Sequence, residues 1–135
     1  MGVITVEPAR LDFVVRRGST LRRSVTWYSD PVWTDRTETE LNTGASTPVD
    51  LTGYTGRMQI RKADRTNELV QELTTENGGL TFGDVAGTIT FFISDTDTEL
   101  FTDDDNVYDF EIVEPGGDVV PFLAGKFTMQ DQITV

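Results

Sequence analysis

Two runs of carboxylates hold the densest potential for chemistry in this chain: Asp95-Thr96-Asp97-Thr98-Glu99, then Asp103-Asp104-Asp105. Clustered acidic oxygens suit a hard cation such as Ca²⁺ or Mg²⁺. An EF-hand loop, however, needs Gly at its sixth position and Glu at its twelfth. Counted from Asp95 those positions are Leu100 and Asn106, so that loop is not written here. A looser carboxylate site between strands stands beside a plainer reading, a helix cap followed by a solvated turn. The plainer reading is adopted, and no metal or cofactor is expected. Paired acids also serve glycoside hydrolysis, held at a fixed separation in a cleft. With 23 Asp and Glu in 135 residues such pairs arise from composition alone, and one small domain offers no deep cleft. The chain has no His and no Cys, which removes Ser-His-Asp and Cys-His nucleophiles, thiolate metal sites and disulfides together. No catalytic residue is expected.

The second concentration of charge is basic. Arg16, Arg17, Arg22 and Arg23 flank Gly18-Ser19 near the start of a chain whose net charge is -12. Residues 94–118, by contrast, carry ten carboxylates and no base. Nucleic-acid binding would want aromatics interleaved with the arginines and a basic surround, and neither is present. A subunit contact is expected at the arginines, with a charged edge that blocks strand-on-strand aggregation as the alternative. Two aromatics join this candidate interface. Trp33 sits in a long polar loop, as a contact anchor or as a lid on the domain. Phe91 and Phe92 are adjacent on a strand and cannot face the same layer, so one of them is exposed or covered by another chain, and Phe92 is taken as the candidate contact.

These residues must be positioned by strands. Leu11 to Val15 and Thr20 to Tyr28 alternate apolar with polar residues, and Arg16-Arg17-Gly18-Ser19 between them reads as a hairpin turn. Arg23 interrupts the apolar face of the second strand, and Trp27 on it is a candidate core anchor. Further strands are expected at 55–63, 68–74, 79–82, 88–93, 106–114, 119–124 and 126–135. Pro115-Gly116-Gly117-Asp118 forms a hairpin, and Gly125 a bulge or bend. Ser94 to Phe101 is the one helical candidate, capped by Ser94. Strands at spacings near ten residues with Gly and Asp turns predict an all-β, immunoglobulin-like antiparallel sandwich of about seven to nine strands with at most one short helix. An N-terminal arm at 1–9 precedes a single domain at 10–135, with a long loop at 29–48. The first residues lack the basic and apolar regions of a signal peptide, and no stretch is long and apolar enough to span a membrane.

Four phrases carry a family resemblance: Asp50–Lys62 (DLTGYTGRMQIRK), Gly87–Phe91 (GTITF), Tyr108–Ile112 (YDFEI) and Gly125–Thr128 (GKFT). In this order they resemble the small β-sandwich modules of tailed-phage tails, typified by the N-terminal domain of the baseplate upper protein. The likeness spans about residues 10 to 134. It implies a non-enzymatic structural subunit of a virion, assembled in the host cytoplasm. The implied place is the tail or baseplate, linking or supporting receptor-binding fibres. Implied partners are other virion proteins and further copies of the chain, met through buried surface, strand addition or arm exchange; nucleic acid and membrane are not among them. The family's long C-terminal fibre-binding extension is not seen here, so a stand-alone ring or adaptor subunit is expected as readily as a connector. A capsid decoration protein, or a host-surface module for glycan or calcium, is the alternative.

Overall fold

A computed structural model of the chain describes residues 9–29, 47–83 and 86–131. The expected all-β sandwich is what they form, and its single helix has five residues. Alternation dictates the central strands. In β6 (Thr55–Lys62) the buried residues are Gly56, Met58 and Ile60, and in β10 (Asp105–Val113) they are Asn106, Tyr108, Phe110 and Ile112. β10 pairs antiparallel with β6 on one side and with the twelve-residue β11 (Val119–Gln130) on the other. β7 (Leu69–Thr74) extends the sheet beyond β6. Beyond β11 lie two short strands, β1 (Ala9–Arg10) and β2 (Phe13–Arg16), both parallel to it.

The facing sheet has three strands, in the order β3 (Leu21–Thr26), β9 (Thr88–Ile93), β8 (Leu80–Phe82). A two-residue pair, β4 (Tyr28–Ser29) and β5 (Thr47–Pro48), brackets residues 30–46, which lie outside the described residues. Among the described residues, eight strands have three residues or more. Phe13, Phe91, Phe110 and Phe127 form the centre of the core, all but fully buried, with rings meeting 5.4 to 5.6 Å apart.

Three expectations change. Arg16 to Ser19 is not a hairpin: β2 pairs with β11 and β3 with β9, so the turn carries the chain from one sheet to the other. Gly18, at φ 80°, and the bond from Ser19 N to the Arg16 carbonyl (3.2 Å) make it tight. Gly125 is not the bulge either. The register slips opposite Phe110/Glu111, leaving Phe122 as the extra residue, and β11 runs on unbroken. Gly125 is small for another reason: a Cβ there would overlap the Leu11 carbonyl oxygen. Trp27, finally, is half-buried at one end of the sandwich, its ring 5.0 Å from Phe122 and 6.0 Å from Tyr54.

Candidate interaction surface

The four arginines, adjacent in sequence, leave the backbone in different directions. Arg16 alternates with buried Val15 and lies on the outer face of the larger sheet. Arg17 turns inward. Its Nε donates to the Phe101 carbonyl (2.8 Å), and its two terminal nitrogens donate to Asp104 and Asp131 (2.7 Å each). Beside it Gly18 N donates to Thr98 Oγ1 (3.1 Å), and that buried hydroxyl donates to the Ser19 carbonyl (2.7 Å). Basic and acidic segments therefore meet within one chain, which leaves Arg17 unsuited to a contact with a neighbour. Arg23 lies on the core-facing side of β3, between Leu21 and Val25, and stays exposed with its guanidinium 5.8 Å from the Phe13 ring. Arg22 lies on the opposite side, 4.8 Å above the Phe92 ring. Trp33 lies outside the described residues.

The acidic runs resolve as helix α1 (Asp95–Glu99) and the turn after it. Ser94 caps α1 by accepting from Asp97 N (3.2 Å), and Asp95 and Asp97 sit where the helix dipole favours anions. Asp64, Thr102, Asp103, Asp104 and Asp105 line an open groove of about 510 Å³. Asp104 is held by Arg17, and Asp103 lies 3.9 Å from Lys62 Nζ. Among the described residues no group of three or more acids is arranged to hold a metal ion. Asn106, buried beside this turn, donates to the Asp103 carbonyl (3.1 Å), and its own Oδ1 has no partner among the described residues.

Arg22 and Phe92 are cross-strand neighbours, and their face continues as a lattice of hydroxyls. Ser24 stands opposite Thr90, Thr26 opposite Thr88, and Thr81 on β8 opposite Thr90 from the other side. The Ser24 and Thr90 hydroxyls are bonded at 2.9 Å. The outward positions of the three strands are thus Arg22, Ser24, Thr26, Thr81, Thr88, Thr90 and Phe92, with no carboxylate among them. Sequence reasoning singled out Arg22 and Phe92 and missed the hydroxyls. The signal was present in the alternation of Thr88-Ile89-Thr90, whose polar members read as ordinary solvated positions.

The free sheet edges are each guarded against strand addition. Arg23 is a charge on the inner side of edge strand β3, a device that disfavours pairing with another chain. In β7 the register skips Val70, β8 has only three residues, and the outer edge at β11 is broken at Leu11-Asp12. At that break Asp12 Oδ1 accepts from Lys126 N (2.9 Å) and Leu11 N donates to the Ala124 carbonyl (3.1 Å). Faces rather than edges are left for contact.

Shifted ionisation falls on groups with structural duties. Burial, reinforced by the Asp12 charge, raises Tyr108 well above the tyrosine range, while its hydroxyl donates to the Leu11 carbonyl (2.5 Å). Asp50 and Asp64 are lowered, chiefly by the hydroxyls of Thr52 and Thr66, in turns that each carboxylate closes.

No family model and no curated protein matches this chain. Among solved structures it is similar to CopC from Methylosinus trichosporium OB3b, with a TM-score of 0.37 and 17% identity. The match covers 59% of this chain and 66%, just under two thirds, of that one, and at this level it carries no argument. The expectation of a phage tail or baseplate subunit is nevertheless corrected, together with its capsid-decoration and host-surface alternatives. No family model, curated protein or structural match supports a phage role. The physical reason lies in the four phrases themselves. They fall largely on β6, β9, β10 and β11, where half-buried antiparallel strands impose the same alternation whatever the protein does.

Proposed function

We propose that this chain is a non-catalytic recognition module that presents the outer face of β3, β9 and β8 to a protein partner. One observation carries the reading: in a chain with 23 Asp and Glu, the described outward positions of these three strands include no carboxylate and one stacked arginine–phenylalanine pair. Hydroxyls are cheaper to desolvate than charges, and they donate or accept as a partner requires. Phe92 adds apolar area and Arg22 a forked donor, residue types enriched at the centres of interfaces. The non-catalytic half is supported by the lack of His and Cys, and by shifted groups that each close a turn or hold a buried bond.

A photoreactive benzoylphenylalanine placed at Thr90 tests this in the cell that makes the protein. The control is the same group at Val107, on the outer face of the other sheet. Adducts from position 90 and none from 107 are expected. Equal capture from both, or none from position 90, would overturn the reading.

A further inference from the structure

We infer that Asn77-Gly78 is a site of spontaneous deamidation, held shut in the folded protein by bonds within its own turn. It is the one Asn-Gly pair in the sequence; Asn42, Asn67 and Asn106 precede Thr, Glu and Val. The chemistry needs only water. Hydroxide takes the proton from the Gly78 amide, and that nitrogen attacks Asn77 Cγ to close a five-membered succinimide. The Cγ–Nδ2 bond breaks, and Nδ2 takes up a proton and leaves as ammonia. Water then opens the ring to aspartate or isoaspartate, with no change of oxidation state. Glycine suits the attacking position, because it has no Cβ to shield its nitrogen and turns easily into the ring geometry. Gly78 is exposed at φ 83°, with open space where a Cβ would lie.

The attacked group is held. Asn77 Oδ1 accepts from Thr74 N (2.9 Å) and Gly79 N (2.8 Å), and Nδ2 donates to the Glu72 carbonyl (2.9 Å). Asn77 N donates in return to Thr74 Oγ1 (2.9 Å). Ring closure must swing Cγ toward the Gly78 nitrogen, out of the alignment that these bonds require. Reaction therefore waits for the turn to open, and its rate follows the open fraction.

Conversion would act on both sheets. The turn carries the chain from β7 in the larger sheet to β8 in the smaller, and the Gly79 carbonyl accepts from Phe92 N (2.9 Å). Aspartate at position 77 has no donor for the Glu72 carbonyl, and isoaspartate adds a methylene to the main chain. Either product brings a negative charge to the groove that Asn77 shares with Phe92.

Peptide mapping by mass spectrometry, on the intact chain kept in mildly alkaline buffer, reads the conversion site by site. In guanidinium chloride Asn77 is expected to convert ahead of Asn42, Asn67 and Asn106. In the folded protein its conversion is expected to be at least about tenfold slower. Thr74→Ala removes the hydroxyl acceptor and is expected to speed the folded reaction about fivefold, with a thermal melt to show that the variant is folded. The comparison of folded and unfolded parent stands without any substitution. Equal rates in the two states overturn the inference, as does another asparagine reacting first in the unfolded chain. A folded Thr74→Ala protein that reacts no faster than the parent overturns it as well.

Discussion

Tyr108 shows how much one side chain does at a junction of strands. Its ring lies in the core 5.2 Å from Phe13, while its hydroxyl reaches the Leu11 carbonyl between β1 and β2. The fold holds the phenol neutral, since burial raises its ionisation above the ordinary value of about 10. A raised folded value means that this contribution is complete below about pH 10 and fades as pH climbs beyond it. Chemical denaturation across that range should show a steep alkaline loss that Tyr108→Phe flattens. At neutral pH the same variant should cost about 1–2 kcal/mol, because the carbonyl loses its donor. Matching alkaline slopes in the two proteins would refute this role. Single residues were only partly legible in the sequence. Ser94 was readable as a cap because its partner is three residues away. The reason for Gly125 was not, because the backbone it makes room for belongs to Leu11.

At the scale of elements, local pattern placed most strands within a residue or two, since alternation and turns are short-range signals. Pairing was another matter. The same Arg-Arg-Gly-Ser turn serves a hairpin or a crossing between sheets, and only the distant partners of β2 and β3 decide which. The arginines likewise looked like one patch because sequence proximity hides the directions that a turn imposes. Arg23, read as an interruption of an apolar face, has a physical explanation as an edge guard. Arg23→Val should leave equilibrium stability unchanged, or raise it by up to about 1 kcal/mol, through better β propensity and burial. The same change should lower the temperature at which light scattering reports aggregation. A variant as soluble on heating as the parent would show that the edge is protected by something else.

For the whole molecule, composition announced an acidic protein but not how its charge is arranged in space. The fold brings Arg17 against the Phe101 carbonyl and Asp104, and the described outward positions of β3, β8 and β9 include no carboxylate. That face was hidden in the sequence because it is assembled from residues more than fifty positions apart, in strands whose pairing is long-range. The remaining excess of negative charge opposes the compact state by self-repulsion. Moderate salt should therefore raise the melting temperature in calorimetry. A fall with salt would mean that local ion pairs such as Arg17–Asp104 outweigh the net repulsion.

The long β11 has a consequence in time. It joins β10 to β1 and β2, and the bond between Lys126 and Asp12 spans 114 positions. In the larger sheet β1 and β2 wait for β11, the last of the described strands to be synthesised, whereas β10 can already pair with β6. Closing such separations is entropically costly and makes folding slow. A growing chain halted before Val119 has no partner for β1 or β2, and its central strand β10 is left open along one side. The larger sheet can be completed only once β11 has been made, in a late step that encloses the core and covers that open side together.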